Sequence, residues 1–122
     1  MKKYSGNLLK DFYMRKIPMK IRKQLSESSF MKKCINCGSQ SNIEFEHSLI
    51  YGGKQINEVF AIQPLCRTCH RGYSGTIKRE IKDYSEFIAI VRGLKDLVKK
   101  YPKFDWQRRK QELEYKLIRK NI

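Results

Sequence analysis

Over residues 43 to 51 every second position is apolar, aromatic or histidine: Ile43, Phe45, His47, Leu49 and Tyr51. This period is typical of a half-buried strand. Gly52 and Gly53 follow and predict a hairpin turn, because glycine accepts the positive φ angles of such turns. We therefore expect residues 54 to 62 to return as a second strand, which Pro64 ends.

The pattern changes after this hairpin. From Leu65 onward it predicts a helix that carries Cys66, Cys69 and His70, and that glycines shortly downstream end early.

The C-terminal third has helical periodicity. Asp83 and Glu86 have the spacing of a capping box, and apolar residues follow at intervals of three and four: Phe87, Ile90, Val91, Leu94, Leu97, Val98 and Tyr101. Pro102 ends this helix, and Asp105 can cap a last one. The last helix has a thin apolar stripe, formed by Trp106, Leu113 and Leu117, which we expect to pack against the rest of the domain. The opposite side of this helix is basic.

The whole chain of 122 residues fits one α+β domain in three parts. Residues 1 to 33 form a basic N-terminal arm with one or two short helices around Pro18 and an apolar patch at Leu8, Leu9, Phe12 and Tyr13. Residues 34 to 75 form a core, and residues 76 to 122 form basic helices. The small apolar content suggests that something must reinforce the core.

The net charge of +15 is concentrated in the two flanking parts. The N-terminal part carries ten basic and two acidic residues, the middle three of each, and the C-terminal part fourteen and seven. Such an excess destabilises a compact state unless a polyanion neutralises it, so nucleic acid is the expected partner. An anionic membrane surface is the weaker alternative, because no segment near the N-terminus joins a basic face to a strongly apolar one.

Four cysteines form two pairs with two-residue spacing, Cys34 with Cys37 and Cys66 with Cys69. The chain shows no apolar leader at its basic start and no long uncharged apolar run, which indicates an intracellular, cytoplasmic protein. In a reducing compartment such pairs are typical of a structural Zn²⁺ site. An iron centre for electron transfer uses the same ligands, but the charge layout disfavours it.

Three residues near these pairs are not needed for zinc. Glu46, His47 and His70 offer a carboxylate and two imidazoles, and phosphodiester hydrolysis needs a hard divalent cation and a base that titrates near neutrality. Neighbouring strand residues point to opposite faces. Glu46 and His47 can therefore share a site only if the strand ends or bulges there.

The segments "CINC", "FEHSLIYGG" and "AIQPLCRTCH", in that order, resemble the HNH endonucleases with four zinc-binding cysteines, especially small ones common in phages and mobile elements. The resemblance covers roughly residues 34 to 75. It implies a ββα-metal, treble-clef-like core in which a hairpin and a helix hold a catalytic ion. His47 then matches the general base, while Glu46 and His70 match ligands of Mg²⁺, Mn²⁺ or a similar ion.

The middle residue of the motif departs from the family. Its asparagine usually stands where this chain has Ala61, and Asn57 lies four residues earlier, where it can take over from a shifted loop. Lys54, Arg67 and Arg71 surround the site and are expected to contact phosphates.

The resemblance therefore predicts a metal-dependent DNA endonuclease. A non-catalytic zinc-finger protein that binds nucleic acid is the alternative.

Overall fold

The computed structural model describes residues 17 to 120, so the apolar patch expected at residues 8 to 13 lies outside the described residues. The elements run in this order: α1 (Met19–Glu27), a 3₁₀ turn (Ser29–Lys32), β1 (Ile43–His47), β2 (Ile50–Tyr51), β3 (Lys54–Gln55), a second 3₁₀ turn (Val59–Ala61), β4 (Ile62–Cys66), a short π-helix (Thr68–Gly72), α2 (Gly75–Lys100) and α3 (Trp106–Lys120). The α+β class is confirmed.

Two small antiparallel sheets replace the single predicted hairpin. β2 and β3 pair around Gly52 and Gly53, whose φ angles of 61° and 80° confirm the predicted turn. The main partner of β1 is β4, with Ile43 opposite Cys66 and His47 opposite Ile62. The prediction that residues 54 to 62 form the second strand is therefore wrong beyond Gln55.

Pro64 does not end a strand, as predicted, but lies inside β4 opposite Phe45. Within residues 17 to 120 this sheet has two strands, so β4 is an edge strand there, where proline's missing N–H is tolerated. The Pro64 carbonyl accepts a hydrogen bond from the Ile35 N–H at 3.0 Å, which ties β4 to the first cysteine pair.

Cys66 is the last residue of β4 and not part of a helix, contrary to the prediction. The helical turn begins at Thr68 and ends, as expected, at Gly72. All five residues of β4 are buried, and the Arg67 N–H extends the strand by donating to the Asn42 carbonyl at 2.9 Å. This pairing keeps Cys66 extended.

The start predicted for the long helix at Asp83 is also wrong, because α2 begins at Gly75 with Ser74 as its N-cap. Its first turns are held by Ile81, which is buried among the cysteines. α2 ends before Pro102 as predicted. Asp105 caps α3, since its Oδ1 accepts the Arg108 N–H at 3.0 Å.

The main core lies where the β2–β3 hairpin and the second 3₁₀ turn pack on α2 and α3. Its buried members are Leu49, Ile56, Phe60, Ala61, Ala89, Ile90, Leu97, Trp106 and Leu113. Trp106 and Leu113 thus face the core as predicted, and Leu117 is half-buried. Among residues 17 to 120, every helix is too short or too polar to cross a lipid bilayer.

Candidate functional site

The four cysteines converge at one end of the β1–β4 sheet. Cys34 and Cys37 come from the loop before β1, Cys66 from the end of β4 and Cys69 from the π-helix. Their sulfur atoms all lie within 4.8 Å of one another, and the Sγ atoms of Cys37 and Cys66 are 3.7 Å apart. Four sulfurs at about 2.3 Å from a tetrahedral Zn²⁺ are separated by about 3.8 Å. The cluster is therefore arranged to hold a metal ion and fits zinc.

Backbone and side-chain donors point at these sulfurs. The N–H groups of Asn36 and Cys37 lie 3.4 and 3.5 Å from Cys34 Sγ, and Asn36 Nδ2 donates to Cys69 Sγ at 3.3 Å. Burial raises the pKa of the Cys34 thiol, but backbone hydrogen bonds at Cys66, Cys37 and Asn36 outweigh burial and bring that pKa to about 7. The site therefore favours one thiolate.

The net shift has the opposite sign at Cys69, where burial and the neighbouring cysteines outweigh the hydrogen bond from Asn36 and raise the thiol pKa to about 12. Four thiolates cannot share this space without a cation, since each new negative charge meets the others at short range. A bound divalent metal supplies that positive charge, and its binding displaces the protons.

The second cluster is built around the His70 ring, which lies between two carboxylates of β1. Glu44 and Glu46 are two residues apart on the strand and so share a face. His70 Nδ1 is 2.8 Å from Glu44 Oε1, and Nε2 is 3.7 Å from Glu46 Oε1. A carboxylate only accepts, so Nδ1 carries the proton and donates to Glu44.

The gap between His70 Nε2 and Glu46 fits a cation. A ligand nitrogen or oxygen lies about 2.1 Å from Zn²⁺ or Mg²⁺, so two such atoms on one ion can be at most about 4.2 Å apart. The observed separation of 3.7 Å is within that limit. These two residues, predicted to share a metal, are thus brought together.

Glu44 was not predicted as a site residue, yet it makes the most contacts here. Its side chain is only 7% exposed, and its Oε2 accepts from Arg71 at 2.7 Å and from Arg67 at 3.4 Å. Burial raises the pKa of Glu44, but the hydrogen bond from His70 and the charge of Arg71 hold it below its ordinary value. The two arginines predicted to contact phosphates therefore pair with Glu44.

The strand predicted over residues 43 to 51 is interrupted after His47, the last residue of β1, which meets the condition for Glu46 and His47 to share a site. The Nε2 atom of His47 lies 2.9 Å from Asn57 Oδ1, and because an amide oxygen only accepts, Nε2 donates. The basic nitrogen of neutral His47 is then Nδ1. The side chain of Asn57 thus contacts His47, whereas Ala61, at the position of the family's asparagine, is fully buried in the core.

Lys54, the third residue predicted to contact phosphates, is exposed on β3.

Sequence signals for Glu44 were present. It stands two residues before Glu46 on one strand face, and Arg67, His70 and Arg71 are spaced as neighbours on a helical turn. A buried carboxylate facing such a turn is expected to pair with it.

No protein-family model matches this chain, and searches of curated proteins and of solved structures likewise gave no match. The fold and the site define its class: a small α+β protein whose four cysteines are placed to bind a metal ion. Beside that cluster lies a second group of histidine, carboxylate and arginine side chains.

Proposed function

We propose that this chain is a metal-dependent endonuclease of the HNH type that hydrolyses phosphodiester bonds in DNA. The observation that carries the proposal is the His70 ring between two β1 carboxylates, with Nε2 facing Glu46. Immediately after Glu46 the same strand ends at a second histidine, which Asn57 holds. None of these groups is needed to bind a metal ion at the cysteine cluster.

In the proposed reaction, His47 acts as the general base. Its Nδ1 takes a proton from a water molecule whose oxygen attacks the phosphorus in line with the departing 3′ oxygen. The P–O3′ bond breaks and the departing 3′ oxygen takes a proton from solvent water, which leaves a 5′ phosphate and a 3′ hydroxyl; His47 returns its proton to solvent. The hydrogen bond from Nε2 to Asn57 keeps the proton on the far nitrogen and fixes the ring.

Glu46 and His70 would hold the catalytic ion, Mg²⁺, Mn²⁺ or a similar divalent metal. When bound, such an ion neutralises the charge that grows on the phosphate and the leaving oxygen. Structural Zn²⁺ on the four cysteines would fix the π-helix to the sheet, and with it the position of His70 next to Cys69. A core held in this way would be of the ββα-metal type that the resemblance implies.

A non-catalytic zinc-finger protein that binds nucleic acid is the second candidate. It is favoured by the buried alanine at position 61, where the family's asparagine is expected. Both candidates predict zinc and salt-sensitive binding, so only a measurement of bond cleavage separates them.

The test is nicking of supercoiled plasmid by the full, zinc-loaded chain with Mg²⁺ or Mn²⁺. Wild type should nick, and His47→Ala should be slower by about 10²- to 10⁴-fold, as expected for loss of a general base. Gln55→Ala, on the exposed hairpin between His47 and Asn57, is the matched control and should nick normally.

Duplex binding by each protein is measured in parallel by fluorescence anisotropy. If wild type binds DNA but never cuts it, the zinc-finger candidate replaces the nuclease. If His47→Ala cuts as fast as wild type, another residue is the base.

A further inference from the structure

We propose that Glu44 is a positioning residue which fixes the tautomer and the orientation of His70, so that Nε2 presents a lone pair to the ion held with Glu46. The inference rests on the proposed function for the identity of that ion. It does not follow from the sequence motif, in which Glu44 had no assigned role.

The contacts of Glu44 use both of its oxygens. Oε1 accepts the Nδ1–H of His70 at 2.8 Å, and Oε2 accepts from Arg71 Nη2 at 2.7 Å and Arg67 Nε at 3.4 Å. With 7% of its side chain exposed, Glu44 has little freedom to turn away. The carboxylate is therefore a fixed hydrogen-bond acceptor for the Nδ1–H of His70.

A fixed acceptor selects one of the two neutral forms of the ring. With the proton on Nδ1, Nε2 carries the lone pair that a metal needs. The other tautomer would leave Glu44 facing a bare nitrogen and would aim an N–H at Glu46. Outer partners of this kind typically change metal affinity by about 10- to 100-fold when removed.

Arg67 and Arg71 keep Glu44 from becoming a metal ligand itself. A buried carboxylate without partners is costly, and the two guanidinium groups supply the charge that offsets this cost. They also occupy the oxygen that points away from His70. The two glutamates therefore have different roles: Glu46 binds the ion, and Glu44 orients the imidazole of His70.

The experiment compares Glu44→Gln and Glu44→Ala with wild type as full, zinc-loaded chains. Glu86→Gln is the matched control, because Glu86 also holds an arginine, Arg109, through two hydrogen bonds of 2.7 and 2.9 Å, but between α2 and α3. Two readouts are used. Nitrogen-15 NMR of the imidazole identifies the His70 tautomer without added metal, and electron paramagnetic resonance measures Mn²⁺ affinity.

Wild type should show the proton on Nδ1. Glu44→Ala should move it toward Nε2 and weaken Mn²⁺ binding by about 10- to 100-fold. Glu44→Gln should lose less, since an amide oxygen can still accept from Nδ1–H. Glu86→Gln should change neither readout, even if it lowers the melting temperature.

An unchanged tautomer and unchanged Mn²⁺ affinity in Glu44→Ala would overturn the inference. If Glu44→Ala fails to fold, Glu44→Gln decides by the same two readouts, because it preserves the side chain's shape. A wild type that shows the Nδ1 proton and binds Mn²⁺ but cuts no DNA would overturn the nuclease proposal alone. A wild type that cuts, with both readouts insensitive to Glu44, would overturn the positioning role alone.

Discussion

At residue scale, in the proposed nuclease, Asn57 and Ala61 would together do what the HNH resemblance assigns to a single asparagine, which is to fix the loop beneath the base. The Ala61 carbonyl accepts the Ser48 N–H at 2.8 Å, so the backbone at position 61 already fixes the chain just after His47. The side-chain contact with His47 comes from Asn57. An alanine at position 61 is therefore compatible with the proposed chemistry.

Asn57→Ala should slow plasmid nicking about tenfold, the equivalent of about 1.4 kcal/mol, because it removes one hydrogen bond that orients the base. DNA affinity should be unchanged, since Asn57 contacts the base histidine and carries no charge. The measurement is single-turnover cleavage with Gln55→Ala as the control. Cleavage at the wild-type rate would show that the His47 ring is held by other contacts.

Residue types and spacing were enough to predict the cysteine cluster and the meeting of Glu46 with His70. Glu44 was missed because the alternation of the strand assigns glutamates to a polar face, which usually meets solvent. Here that face is covered by the π-helix, so Glu44 is buried and ion-paired. Periodicity reports which face a side chain is on, but not what packs against that face.

At the scale of elements, the wrong strand partner has a physical cause. The glycine turn favours local pairing of the residues that follow it, yet only Lys54 and Gln55 pair locally. Ile56 and Phe60 are drawn instead into the core against α2 and α3. Burial against helices distant in sequence therefore decides where β4 begins, and the local pattern carries no information about it.

Gly93 of α2 lies against the Phe60 ring of the second 3₁₀ turn. Its φ and ψ angles of −119° and 18° interrupt the helix, and a Cβ atom built on it would overlap the Phe60 ring. Gly93→Ala should therefore destabilise the protein by about 1 to 3 kcal/mol through overpacking, although alanine has the better helix propensity.

The measurement for Gly93→Ala is urea unfolding, with Val91→Ala as the control, because Val91 is half-exposed on the same helix. The double variant Phe60→Leu with Gly93→Ala should recover part of the lost stability, because the side chain at position 60 is then smaller. An alanine at position 93 that leaves stability unchanged would mean that the Phe60 ring moves freely.

At the scale of the whole molecule, the cysteine cluster joins the loop before β1 to the end of β4 and to the π-helix. Cys34 and Cys37 reach the end of β4 and the π-helix, and the small core around them contains Leu65 and Ile81. Zinc bound to such sites contributes about 10 to 16 kcal/mol at pH 7, comparable with the whole stability of a domain, about 5 to 15 kcal/mol. Folding and zinc binding should thus be one event.

Chelation of zinc, or Cys34→Ser, should therefore unfold the β1–β4 sheet together with the π-helix. Circular dichroism measures the loss of secondary structure, and metal analysis measures the loss of zinc. Ser41→Ala is the control, because Ser41 is exposed in the same loop as Cys34. Added Zn²⁺ should restore the fold of the chelated wild type. Well-folded protein that contains no metal would contradict this account of the core.

Binding of nucleic acid should depend steeply on salt, because the chain carries a net charge of +15. Each phosphate contact contributes about 0.9 to the slope of log K against log salt. On α3, Arg108 and Arg109 are paired with Glu112 and Glu86. Lys116 and Arg119 are exposed further along the helix, with Arg119 over the Tyr115 ring.

If DNA lies along this end of α3, replacing Lys116 and Arg119 together by alanine should lower the slope by about 1 to 2 and weaken different duplex sequences equally. Gln111→Ala, neutral and exposed on the same helix, should leave the slope unchanged. Cleavage of saturated complexes should also be unchanged, because Lys116 and Arg119 lie on α3 and not among the β1 and π-helix residues proposed for catalysis. An unaltered slope would assign the phosphate contacts to another surface, with Lys54 on the β2–β3 hairpin as the next position to replace.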